Sequence, residues 1–126
     1  PSTSRPVLLH RDFQLRQMFD AETQITVVDW DDLAAGDPSF DIYYLVAYLR
    51  SHLPIDTATA CARHFLDGYH EVSPASTANR CELWLAFNHL RRAARRFRLQ
   101  DDCWEATLER SLSALSALIV KDPERE

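Results

Sequence analysis

The sequence predicts an α+β fold, mostly helical, with a short β-hairpin and loops over residues 1–36 and about four helices over residues 37–126. Three observations lead there. Short apolar and β-branched runs separated by a polar turn fill the first block. Apolar residues then recur at helical spacing, broken at Pro54 and Pro74. The 126 residues, 46% of them hydrophobic and 26% charged, suit one globular domain large enough to bury its own core.

The elements follow in order. Val7-Leu8-Leu9 is a short apolar run ending at His10. Gln17-Met18-Phe19 leads into the polar turn Asp20 to Gln24, and Ile25-Thr26-Val27-Val28 returns as a second strand. Asp29-Trp30-Asp31-Asp32 ends that strand, and a loop is expected to run to Gly36. Asp37-Pro38 opens a helix, with Asp as its cap and Pro in its first turn; it is expected to reach about Leu53. Asp56 is read as the cap of a second helix, whose apolar face is Ala58, Cys61, Ala62, Phe65, Leu66 and Tyr69 and which breaks at Ser73-Pro74. A third helix spans about 76–98, with Trp84, Phe87 and Leu90 inward. A fourth runs from about Asp102 to Val120 on a stripe of Trp104, Leu108, Leu112, Leu115 and Ile119. Tyr43, Tyr44 and Tyr48 are read as core or core-edge aromatics.

Charge and composition narrow the function. The net charge is −5, and it falls wholly in residues 1–45, which hold eight acids against three bases; residues 46–126 hold eleven of each. A general binder of nucleic acid or of an anionic membrane is not expected. Carboxylates gathered in one region repel one another, so a fold that collects them needs a cation or a polar network. Only two glycines and one lysine, Lys121, are present, so no glycine-rich phosphate loop with its lysine can be written here. Cys61, Cys81 and Cys103 are odd in number, widely spaced and in helical patterns, which reads as buried thiols in a reducing, cytoplasmic setting. The longest apolar run, Ile42 to Leu49, is too short to span a bilayer. Residues 1–20 show no signal-peptide core. His52, His64, His70 and His89 lack zinc-ligand spacing. Arg91, Arg92, Arg95, Arg96 and Arg98 read as a solvated helix face paired with Asp101, Asp102, Glu105 and Glu109, with contact to an anion, a nucleotide or an acidic partner as the alternative.

The chemistry concentrates in three short motifs. His10-Arg11-Asp12 follows the first strand, and four residues separate Asp12 from Gln17. After the hairpin comes Val28-Asp29-Trp30-Asp31, with Asp29 seventeen residues beyond Asp12. Gly36-Asp37-Pro38-Ser39-Phe40-Asp41 then opens a helix. In order and spacing these stretches resemble the kinase-like phosphotransferases, most closely the aminoglycoside phosphotransferase and choline kinase family. The resemblance is close over residues 7–49 and general beyond them.

That resemblance implies the C-terminal lobe of a protein kinase-like fold, in which Asp12 is the catalytic base. Gln17 and Asp29 would hold Mg²⁺, since hard cations take oxygen ligands. His10 and Arg11 would support the loop, Asp31 would assist metal or substrate, and Asp37 and Asp41 would anchor the loop to the helix, with Arg11 pairing with one of them. Gln17 stands where most relatives carry Asn, one methylene further out. The implied reaction moves the γ-phosphoryl group of ATP (or GTP) to a hydroxyl of a small molecule, such as an aminoglycoside, another amino-alcohol or a sugar. The acidic first block would suit a cationic acceptor. The glycine-bearing N-terminal lobe with its phosphate-binding lysine is not within these 126 residues, so the piece alone is expected to be inactive and to need that lobe as partner. The alternative is a degenerate relative that binds a nucleotide or a partner without transfer, a reading that Gln17 motivates. A third reading is an unrelated helical interaction domain with surface acids.

Overall fold

The structure, a computed structural model, describes residues 6–73, 81–99 and 104–120. Strand β1 (Val7–Leu9) pairs antiparallel with β4 (Ala34–Gly36), Val7 opposite Gly36 and Leu9 opposite Ala34. Strands β2 (Met18–Ala21) and β3 (Gln24–Val27) form the expected hairpin, Met18 opposite Val27. A 3₁₀ turn, Leu15–Gln17, leads into β2. The stretch before Gly36 is therefore not all loop. Ala34-Ala35-Gly36 carries no β-branched residue, and its pairing with β1 makes it a strand, a case of context overriding propensity. Gly36 suits that place, because a Cβ there would lie 2.7 Å from Leu9 Cδ1.

Helix α1 (Ser39–His52) is the centre of the molecule. Ile42, Tyr43, Leu45, Val46, Ala47 and Leu49 are all buried, so the helix is covered on nearly every side, as an unbroken apolar run requires. Asp37 Oδ1 accepts the Ser39 N–H at 2.9 Å and caps its start. Its end is fixed at Leu53, which turns extended (φ −112°, ψ 156°) ahead of Pro54.

Helix α2 (Ile55–Val72) packs Ala58 and Ala62 on α1, with Phe65, Leu66 and Tyr69 along the seam. It starts one residue before Asp56, which lies in its first turn and is not its cap. Cys61 is exposed, off the buried face. Helix α3 (Cys81–Leu99) turns a face inward that periodicity did not select. Leu85, Asn88, His89, Arg92 and Ala93 are buried, Trp84 and Cys81 pack at the core edge, and Phe87 and Leu90 stay about half exposed (46% and 49%). Helix α4 (Trp104–Val120) buries Thr107 and Ser111, leaving Leu112 largely exposed, so its inward face is more polar than the leucine stripe implied. The expected start of α3 near 76, that of α4 near Asp102, and Cys103 lie outside the described residues. Among the described residues no helix is long and apolar enough to cross a membrane.

Candidate active site

The segment after β1 is a loop held from behind by α1. Asp41, in the first turn of α1, accepts the His10 N–H on Oδ2 (2.6 Å) and the Arg11 N–H on Oδ1 (2.8 Å). It is thus the Arg11 backbone, not its guanidinium, that meets Asp41. Burial pushes the Asp41 carboxyl above the usual carboxylate value, and the two N–H bonds and nearby positive charge work the other way. Arg11 takes a left-handed backbone (φ 68°), uncommon for a residue with a side chain, and the paired Asp41 bonds hold it there.

His10 is buried and ties the loop to the hairpin. Its Nε2 donates to the Val28 carbonyl at 2.8 Å, which leaves Nδ1 to accept the Asp12 N–H at 3.4 Å. The Trp30 ring covers it, with centroids 4.7 Å apart, and the Trp30 indole N–H donates to the Val27 carbonyl. Val28 N–H donates back to the Gln17 carbonyl. These bonds carry Asp29, also left-handed (φ 67°), back beside Asp12.

The two carboxylates converge on one amide. Gln17 Nε2 donates to Asp12 Oδ2 at 3.2 Å and to Asp29 Oδ2 at 3.3 Å, while its Oε1 is buried with no hydrogen-bond partner among the described residues. The rest of the Asp12 carboxylate is satisfied by groups the sequence did not single out. Gln14 Nε2 donates to Oδ2 at 2.9 Å; the Tyr44 hydroxyl and Arg95 Nη1 donate to Oδ1 at 2.5 and 2.8 Å. Tyr44 is therefore a site residue as well as a core aromatic. Burial, then the bond to Asp12, pushes its hydroxyl above its usual value, so it remains a donor. Burial works against the Arg95 charge, but Asp12 and Tyr44 more than offset it.

Arg95 belongs to the arginine run expected to face solvent. In the fold, Arg91 Nη1 donates to the Arg11 carbonyl at 2.6 Å and its guanidinium lies over the Phe40 and Tyr44 rings. Arg92 is buried (4% exposed) against the Tyr44 and Tyr48 rings. Arg91 and Arg95 therefore anchor α3 to the loop and Arg92 packs on α1, while Arg98 stays exposed.

These groups line a cleft of about 580 Å³. Asp12, Asp29, Asp31 and Asp32 enter it from the loop and the segment after β3, and Arg91, Arg95 and Arg98 enter it from α3, with Tyr44 between. The structure brings Asp12, Asp29 and Asp31 to the cleft, with Gln17 buried behind the two carboxylates that it bonds. His10, Arg11 and Asp41 form the bracing behind it, and Asp37 stays at the α1 cap. Among the described residues no three His, Cys, Asp or Glu side chains gather as a metal cage; the groups that converge are the Asp12 and Asp29 carboxylates and the Gln17 amide.

The sequence model of the phosphotransferase enzyme family matches residues 1–79. The chain belongs to that family. Membership in the phosphotransferase enzyme family implies nucleotide and Mg²⁺ use in general. No curated protein and no solved structure matches significantly. The phosphotransferase match covers the loop, the hairpin, α1 and α2, so the cleft's arginines on α3 lie outside it. Gln14 lies only two residues beyond Asp12, but Tyr44 and Arg95 reach that carboxylate through the packing of α1 and α3, and no local spacing points to them.

Proposed function

We propose that this chain carries the catalytic edge of a kinase-like enzyme that moves the γ-phosphoryl group of ATP or GTP to a hydroxyl of a small molecule. The observation that carries the reading is the convergence of Asp12 and Asp29 on the Gln17 amide, 3.2 and 3.3 Å away, at the floor of an open cleft. A half-turn of that amide replaces its NH₂ by Oε1, the atom left without a partner among the described residues. Oε1 and the Asp29 carboxylate are then hard oxygen donors of the kind that suits Mg²⁺, with the Asp12 carboxylate beside them. Gln17 and Asp29 would hold the ion, with Asp31 nearby in the same wall. Bound Mg²⁺ neutralises charge on the nucleotide phosphates.

Asp12 orients the acceptor hydroxyl and receives its proton as the oxygen attacks the γ-phosphorus and the bond to the bridging oxygen breaks. His10 and Asp41 keep that carboxylate in place through the loop backbone. The glycine loop and lysine that grip phosphate are supplied by sequence outside these 126 residues, in a separate lobe, and this stretch is inactive without them.

A second reading, nucleotide binding without transfer, draws on the fully bonded Asp12. Both oxygens already accept two hydrogen bonds each, one of them from Arg95. Transfer from ATP to a panel of small alcohols by the full-length protein decides between the two. Transfer that falls by about 10²-fold or more in Asp12→Asn supports the base role. Mg·ATP binding with no transfer to any acceptor leaves only the second reading.

A further inference from the structure

Apart from the Asp12–Arg95 pair, the cleft carries acids on one wall and arginines on the other. Among the described residues no ion pair joins Asp29, Asp31 or Asp32 to the arginines of α3, and Asp12 is paired with Arg95. Arg91, Arg95 and Arg98 recur at i, i+4 and i+7, a stripe about 10 Å long on one helix face. Arg91 is fixed by the Arg11 carbonyl and by the Phe40 and Tyr44 rings. Arg98 is exposed and bonds to no described residue, yet lines the cleft.

We propose that this stripe is an anion subsite and that the acceptor carries, besides its hydroxyl, a carboxylate or phosphate group that lands on it. The proposal deepens the phosphotransferase reading and rests on it. Guanidinium groups present paired donors at the geometry of a carboxylate or phosphate. Metal-bound phosphates belong with the acids on the other wall, which leaves the arginine wall for the acceptor. A cationic acceptor, which the acidic first block suited on sequence grounds, would meet three guanidiniums there.

The subsite also accounts for the fully bonded Asp12. Arg95 is half exposed (44%), so it is the one of the four Asp12 donors free to swing. An acceptor anion that draws Arg95 toward Arg98 releases a lone pair on Asp12 Oδ1 beside the incoming hydroxyl. The acceptor itself would thereby unmask the carboxylate that activates it.

The test uses four alcohols of similar size that differ in charge: glycerol, glycerol 3-phosphate, glycerate and choline. Their affinities for the full-length protein are measured by calorimetry, first without nucleotide. Both anionic alcohols are expected to bind at least about tenfold tighter than glycerol and choline, as a guanidinium–oxyanion pair worth 1.4 kcal/mol gives. Arg98→Ala should remove that advantage and Arg98→Glu should reverse it in favour of choline; the position is exposed and bonds to no described residue, so the fold stays intact in both. Choline binding as tightly as the anions, or an anion preference unchanged in Arg98→Glu, overturns the proposal. So does a loss confined to ATP affinity in Arg98→Glu, which would give the stripe to the nucleotide phosphates. Anions bound through Arg98, but with no phosphate transferred to any alcohol, would uphold the subsite and remove only the transferase reading.

Discussion

Asp12 is a buried carboxylate whose two oxygens take hydrogen bonds from four side chains on three different parts of the chain. Each donor has a different task. Gln14 and Gln17 are local and fix the carboxylate plane; Tyr44 and Arg95 come from 32 and 83 residues away and join it to the helices. Removing the Tyr44 hydroxyl leaves Oδ1 with Arg95 alone. Tyr44→Phe is expected to cost about 2 kcal/mol, the range for a buried bond to a charged group. Urea unfolding reads that loss, and in the full-length enzyme kcat should fall with KM little changed, because the carboxylate loses orientation and not the ligand. At this scale the sequence showed the short-range half of the site. His10, Asp12, Gln17 and Asp29 lie on one hairpin-linked stretch, and the resemblance of their motifs, in order and spacing, to the phosphotransferase family brought them together. Tyr44 and Arg95 depend on how α1 and α3 cross, which no local pattern encodes.

Among the elements, α1 was read most accurately and α3 least. Asp37-Pro38 at one end and Leu53-Pro54 at the other left little freedom for α1, and its apolar run named its place in the core. Asp37→Ala removes the side-chain bond to the Ser39 N–H and should lower stability by about 1 kcal/mol. The same change should leave Mg²⁺ affinity in the full-length protein unaltered, since Asp37 lies outside the cleft; a matching loss of metal binding would place it in the site. Helix α3 was misread because its aromatic residues follow helical spacing, while its orientation is set by polar ties. Asn88 Nδ2 donates to the Phe40 carbonyl at 3.1 Å and Arg91 to the Arg11 carbonyl at 2.6 Å. These ties rotate Asn88, His89 and Arg92 inward. Phe87 is left half exposed, stacked edge-on with Trp84 and near Phe40.

Across the whole molecule, that rotation has a pH consequence. His89 is buried (1% exposed), and among the described residues neither ring nitrogen has a hydrogen-bond partner. Burial, with Arg50 and Arg92 adding positive charge nearby, pushes its pKa down from the usual 6.5 to about 4. Folded His89 therefore stays neutral where the unfolded chain takes up a proton. Its contribution to stability is complete above pH 6.5 and falls away as the pH drops from there toward 4, by about 2 kcal/mol at pH 5. Denaturation midpoints of the wild type and His89→Gln at pH 7.5 and 5 measure this. The wild type should lose the larger share on acidification, and parallel losses in both would show that other groups set the acid limit.

The central position of α1 bears on how such a cleft changes its ligands over evolutionary time. The helix supplies the core on nearly all sides and also hands Asp41 and Tyr44 to the loop, so most substitutions along it damage folding and chemistry together. The cleft side of α3 carries no such double duty at Arg98. Variation there can retune which molecules enter while Asp12, Asp29 and the core stay fixed. Diversification of acceptor choice is accordingly expected to collect on the outer turns of α3, with α1 nearly invariant beneath it.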